Sequence, residues 1–386
     1  MTHIRKAAGP VSDTRWRVAA AGWVTLVLAL TLWPNPGAAQ AIAETPWWCI
    51  VCGAHGGADV FQNLLLLLPL GFCLGRGGWP RGRSLLVVFL LPIGIEALQG
   101  LTIPGRDAAL GDVLANAVGG VLGLAIGARL RHRPIATARL APAAVGLFAL
   151  QLAGSSWLLE PELAGPRPWV EHPIPRDPGR PIYAGAVARA APPRADQVSW
   201  TVTWAPADEP AMTPIARLED ARGSVLTALD RRGDHLGIEV RIRAAALRLR
   251  NPAWLVPVPP ARPGDTLTVS LRREAGRIHL GVRAAQDRTA RSVAVGSQHG
   301  WALINPFSPS QRSDASWARW TVAWLLGWGM LLGWAAAGTG RPLLWGVGAV
   351  GLLLLGTAMS HTLASPAEVG SLLLGWLLAW RLSSGR

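Results

Sequence analysis

Long apolar runs dominate both ends of this 386-residue chain, and a polar, proline-rich stretch separates them. Apolar stretches fill the sequence to about Leu152 and resume near Trp317, while the segment between is rich in Arg, Asp, Glu and Pro. Eight apolar helices are read at about 18–33, 60–76, 84–99, 112–130, 139–157, 317–337, 342–360 and 367–381. Several fall short of the ~20 residues that a full span prefers. The pattern predicts a polytopic α-helical membrane protein interrupted by one water-exposed domain. The expected division is 1–157, 158–316 and 317–386, with about five helices before the inserted domain and about three after it.

Arginine placement sets an expected orientation. The net charge of +14 comes almost entirely from arginine, Lys6 being the single lysine. Arg5, Lys6, Arg15 and Arg17 precede the first helix, Arg76, Arg81 and Arg83 occupy the second turn, and Arg129, Arg131, Arg133 and Arg139 the fourth. Arg341, Arg381 and Arg386 continue the series, whereas 34–59 and 361–366 carry no Lys or Arg and 100–111 only Arg106. By the positive-inside rule both termini face the cytoplasm and 158–316 lies outside. The basic charge thus reads as a topology signal. With no basic helix interleaved with aromatics, no nucleic-acid partner is expected. A competing reading of residues 1–41 is a cleaved signal peptide ending at Ala39-Gln40-Ala41, which would remove one helix.

The polar middle has its own period. Val198, Trp200, Val202 and Trp204 alternate with Ser199, Thr201 and Thr203, and Ile238, Val240 and Ile242 with charged neighbours. Leu267, Val269 and Leu271, then Ile278, Leu280 and Val282, repeat the pattern. Alternation of this kind gives strands with one buried face, and the turns Arg231-Arg232-Gly233-Asp234 and Pro263-Gly264-Asp265 suit an antiparallel sandwich. Trp200 and Trp204 are expected in its core, and the Pro161–Pro181 stretch as an extended linker. His235, His279 and His299 are scattered and form no evident site.

Polar residues inside apolar helices need partners, because lipid supplies none. Asp59 and Asn63 are four apart on the second helix, Glu96 and Gln99 three apart on the third, and Asp112 and Asn116 four apart on the fourth, with Arg106 and Asp107 just before. Each spacing puts a pair on one helix face. Below Asn116 run Gly119, Gly123 and Gly127, a small-xxx-small stripe that permits close helix contact. Three readings stay open: hydrogen bonds that tie the helices together, with Asp59 and Asp112 as N-caps; a site for a lipid headgroup or metal; and catalysis. Cys49-xx-Cys52, with His55 three residues on, sits in the first loop of the same side. Outside the cytoplasm a local disulfide is expected there; a metal site using Cys49, Cys52 and His55 is the weaker reading. Cys73, inside an apolar run, reads as a small core residue.

These residues carry a resemblance. Asp59-xxx-Asn63 followed by Pro69-Leu70-Gly71, then Glu96-xx-Gln99, Arg106-Asp107 and Asp112-xxx-Asn116-xx-Gly119, resemble the VanZ-like membrane family over roughly residues 18–130. Ser360 to Gly375 is similar to the closing part of longer members, and Ala221 to Leu226 with Leu247 to Arg250 to a concanavalin-like, laminin-G-type sandwich that some members carry. The resemblance implies a bacterial inner-membrane envelope protein linked by family to glycopeptide (teicoplanin) resistance. Its implied partners are membrane lipid and a lipid-linked envelope precursor or glycan, and no cofactor is called for. The alternative is an enzyme acting on a lipid-linked envelope intermediate through Glu96, Asp107 and Asp112.

Overall fold

The computed structural model describes residues 11–33, 46–51, 53, 55–103, 108–131, 137–162, 170–172, 187–194, 197–204, 213–219, 225–305, 314–337 and 339–384. They fall into two compact units, Met1–Ile135 and Ala136–Arg386. The sequence division at 157/158 follows the linker, whereas compactness divides the chain between α4 and α5.

The first unit holds α1 (Val11–Thr31), α2 (Gly56–Arg76), α3 (Arg81–Thr102) and α4 (Leu110–Leu130). Helices α2 and α4 approach most closely, because glycines lie where they meet. A Cβ on Gly119, Gly123 or Gly127 would lie 1.9, 2.0 or 2.3 Å from the carbonyl oxygens of Leu64, Leu68 and Phe72. Gly71 answers from α2, where a Cβ would stand 2.0 Å from the Gly120 carbonyl oxygen. Only hydrogen fits at these positions, so the backbones touch and dispersion acts along the whole seam. Around it, Ala20, Val27, Leu67, Leu70, Leu74, Val88 and Ile95 form the core, and the free thiol of Cys73 is buried as expected. On another face of α4, Leu114, Val118, Leu122 and Ile126 repeat every four residues and are all exposed. An uncovered apolar stripe of this kind suits lipid far better than water.

The second unit holds α5 (Thr137–Leu158), ten strands, and α6 (Asp314–Ala336), α7 (Pro342–Met359) and α8 (Pro366–Ser384). The strands are β1 (Val170–His172), β2 (Val187–Arg194), β3 (Gln197–Thr203), β4 (Thr213–Glu219), β5 (Val225–Arg232), β6 (His235–Val240), β7 (Ala253–Pro257), β8 (Thr266–Glu274), β9 (Arg277–Ala284) and β10 (Asp287–Ala294). They make two five-stranded sheets in the orders β1-β4-β5-β6-β7 and β10-β9-β8-β3-β2, antiparallel throughout. The inward residues are the ones the period-2 pattern selects. Val198, Trp200, Val202, Trp204, Ile238, Val240, Leu267, Val269, Leu271, Ile278, Leu280 and Val282 share one buried cluster. Gly233 and Gly264 have φ of +59° and +94°, which explains glycine in both expected turns.

One expectation needs adjusting. Within the Pro161–Pro181 stretch, Val170–His172 is a strand that adds to the β4 edge, because an extended segment can satisfy its backbone on a free sheet edge.

Helices α5 and α6 of this unit are anchored in the sandwich. After α5, Leu159 enters the sandwich core and Pro161 bridges to Ile242. The Glu162 amide donates to the Arg241 carbonyl (2.9 Å) and the Arg243 amide to the Glu160 carbonyl (3.0 Å). From α6, Trp317 packs against Trp301 and Trp254 with ring centroids 4.7 and 6.0 Å apart. Helices α6 and α8 meet as α2 and α4 do: a Cβ on Gly329 or Gly333 would lie 2.1 Å from the Leu372 or Trp376 carbonyl oxygen.

All eight apolar helices read from the sequence are present. Among the described residues α2, α3, α4, α5 (from Leu140) and α7 are long and apolar enough to cross a membrane by length and composition.

Candidate functional site

The intramembrane polar residues gather at one end of the first unit, where α1 and α3 finish and α2 and α4 begin. The Asn116 side-chain amide donates to Asn63 Oδ1 (3.0 Å) and to the Asp112 carbonyl (2.9 Å), joining α4 to α2. Glu96 is buried on α3, and its Oε2 accepts the Ala109 amide at 3.0 Å, just ahead of α4. Gln99, also buried, donates through Nε2 to the Thr31 carbonyl at the end of α1 (2.8 Å). Each side chain therefore ties two segments together. Asn116 is 4% exposed, and its Oδ1 has no hydrogen-bond partner among the described residues.

Asp59 and Asp112 are half-buried and stand in the first turns of α2 and α4, one turn inside the caps. The cap positions belong to His55 and Ala109, neither of which makes a side-chain cap bond. Helix assignment by apolar run alone starts α2 four residues late and α4 two residues late, which explains the shift. Carboxylates in a first turn still complement the helix dipole. Arg106 and Asp107 lie outside the described residues.

The Cys49 loop covers this same end. The Trp47 carbonyl accepts the Leu110 amide (2.8 Å) and the Cys49 carbonyl the Gly111 amide (3.0 Å), so the loop backbone satisfies the first donors of α4. Gly111 allows the approach, since a Cβ there would stand 2.0 Å from the Ile50 carbonyl oxygen. Cys52 lies outside the described residues, and with it both the expected disulfide and the weaker Cys49, Cys52, His55 metal set. Among the described residues no three His, Cys, Asp or Glu side chains are grouped to hold a metal.

Sequence reasoning missed a polar seam in the second unit. Gln151 on α5 donates to Ser155 Oγ (2.9 Å) and to the Ser297 carbonyl (3.3 Å), at the start of the 3-10 helix Ser297–Leu303. Ser360 Oγ accepts the Ser297 amide (3.3 Å), and Thr362 Oγ1 donates to Gln298 Oε1 (3.2 Å). The signal was available, since Gln151 and Ser155 are four apart in an apolar helix, the rule already applied to α2 and α4. Of the three histidines, His235 pairs with Asp234 at the surface (2.6 Å), and His279 stands 3.8 Å from Glu274. His299 is buried beside Trp317; its Nδ1 accepts the Gly296 amide (3.1 Å), and burial pushes its pKa down to about 3.

The comparisons with known proteins agree with the first unit. The VanZ/LLP1 family model matches residues 12–131. No curated protein and no solved structure matches the chain, so the sandwich carries no assignment beyond its architecture. The matched stretch takes in α2, α3 and α4, all of α1 but Val11, and every polar residue of the candidate site. The chain is thus a membrane protein whose residues 12–131 are similar to the VanZ/LLP1 family.

Proposed function

We propose that this protein binds the headgroup of a membrane lipid or lipid-linked envelope intermediate at the polar end of α1–α4. The observation that carries the reading is Asn116, whose buried Oδ1 has an unused acceptor at the end of the bundle that also buries the Glu96 carboxylate. A lone buried acceptor is costly, about 1–3 kcal/mol, unless something donates to it. A hydroxyl or amine of a headgroup is the matching chemistry. In this reading the chain lies in a bacterial inner membrane with both termini cytoplasmic and the site in the outer leaflet. The link to teicoplanin resistance would follow from sequestering or shielding an envelope lipid.

The test uses the full chain in nanodiscs made from a bacterial lipid extract, read by native mass spectrometry. A lipid adduct retained by the wild type and lost in Asn116→Ala and Glu96→Gln supports the reading. No adduct, or one that both variants retain, overturns it. A headgroup whose mass changes on incubation would favour the alternative, an enzyme using Glu96, Asp107 and Asp112.

A further inference from the structure

Within the second unit a cavity of about 270 Å³ opens where the sandwich meets the ends of α5 and α7. Its walls come from three directions: Glu160 after α5, Arg273 and Arg277 flanking the β8–β9 turn, and Ser360 with His361 after α7. The turn is seated firmly. Gly276, at φ +74°, approaches so closely that a Cβ would stand 2.1 Å from the Ser360 carbonyl oxygen. The cavity is therefore held by backbone contact between a hairpin and a helix end.

Its charge is unbalanced. Glu160 is shared by two arginines, Arg243 and Arg273, so its negative charge is already matched twice. Arg277 is exposed and bonds to neutral groups of Ser292, at 2.9 Å to Oγ and 3.4 Å to the carbonyl. His361 lies against the Gly276 turn, where an added Cβ would stand 3.3 Å from its own Cβ; it is exposed and held at φ +53°, a left-handed conformation that a non-glycine residue rarely adopts. A guanidinium with spare donors suits the paired oxygens of a phosphate, and an imidazole N–H can add a further donor.

Its depth is set by the helices that end there. Both α5 and α7 qualify as membrane spans and finish at Leu158 and Met359. Next to those ends Trp157, Met359 and Leu363 are 60%, 73% and 88% exposed, and the Arg243 guanidinium lies 5.7 Å from the Trp157 ring centroid. Exposed Trp, Leu and Met beside arginines are the makings of a membrane–water boundary. The volume is below the ~300–1,000 Å³ of drug-sized sites, which fits a headgroup rather than a whole lipid.

We infer that this cavity binds the phosphate of an anionic phospholipid, with Arg277 and His361 on the phosphate and Met359 and Leu363 along the upper acyl chains. It is a second site, independent of the one on α2–α4. The probes are phosphatidylglycerol in nanodiscs, with phosphatidylcholine as the neutral carrier, and inorganic phosphate alone. For the full chain, phosphatidylglycerol retention in native mass spectrometry should fall about tenfold in Arg277→Gln and further in the double variant with His361→Gln. Arg277→Lys should retain most of it. Both residues are exposed, so thermal unfolding should be unchanged. Inorganic phosphate that binds in an Arg277-dependent way while phosphatidylglycerol does not would keep the phosphate chemistry and replace the lipid as its source. Retention unaltered by Arg277→Gln, or no binding of either probe, overturns the inference. Glu96→Gln and Asn116→Ala should leave this binding intact, which separates its failure from that of the headgroup reading above.

Discussion

The Asn116 side-chain amide donates to Asn63 Oδ1 at 3.0 Å, a contact between residues 53 positions apart in sequence and on two different helices. Both sit one to two turns inside their helices, among apolar neighbours. Interhelical hydrogen bonds in lipid average about 0.6 kcal/mol, because the separated helices also find partners. Replacing Asn116 and Asn63 singly and together by Ala should therefore give a coupling energy of roughly 0.5–1.5 kcal/mol by steric-trap unfolding in bicelles. A coupling of zero would show that the bond contributes nothing to holding α2 and α4 together.

The glycine seam should matter more. Gly119→Ala places a methyl 1.9 Å from the Leu64 carbonyl oxygen, and neither backbone can yield without parting the helices. A loss of about 1–3 kcal/mol or more is expected. Gly94→Ala on α3 meets nothing within 4 Å and should be neutral or mildly stabilising. Equal effects at the two positions would contradict the close α2–α4 contact.

Acid should weaken the second unit through His299. Its pKa is pushed down to about 3 by burial, against about 6.5 in the unfolded chain. The unfolded state takes up a proton first, so stability falls as pH drops from about 6.5 towards 3, at most about 1.4 kcal/mol per pH unit. Half-buried Glu239 and Asp230 work in the opposite direction, since desolvation raises both carboxyls and protonation favours the fold. The informative quantity is thus a difference. His299→Gln should flatten the acid limb of a denaturation-versus-pH curve relative to wild type, and parallel curves would refute the assignment.

Topology is open to direct measurement. Reporter fusions at Asp265 and Arg386 should report opposite sides of the membrane, because the arginine-bearing loops alternate. Fusions reporting the same side would overturn the orientation.

The loop cysteines provide an independent check on that orientation. In a Cys73→Ala background, alkylation of intact cells should label neither Cys49 nor Cys52 until a reductant is added. Labelling without reductant would remove the disulfide and with it the oxidising-side placement.

Much was legible in the sequence because two of its signals are periodic and local. Long apolar runs force helices, since only a helix satisfies its own backbone in lipid, and strict alternation at 198–204, 238–242 and 267–271 forces strands with one dry face. The four-residue spacing of Gly119, Gly123 and Gly127 announced a close contact, and Asn63 and Asn116 each announced a need for a partner. What sequence could not supply was who meets whom. That α2 receives the glycine face, that Glu96 accepts the Ala109 amide, and that the Cys49 loop closes the start of α4 depend on contacts between distant segments. The same holds for α5. Its composition matches the helices before it, yet Leu159 and Glu160 tie it to the sandwich, because burial and backbone pairing are decided by the assembled surface and not by the helix's own residues.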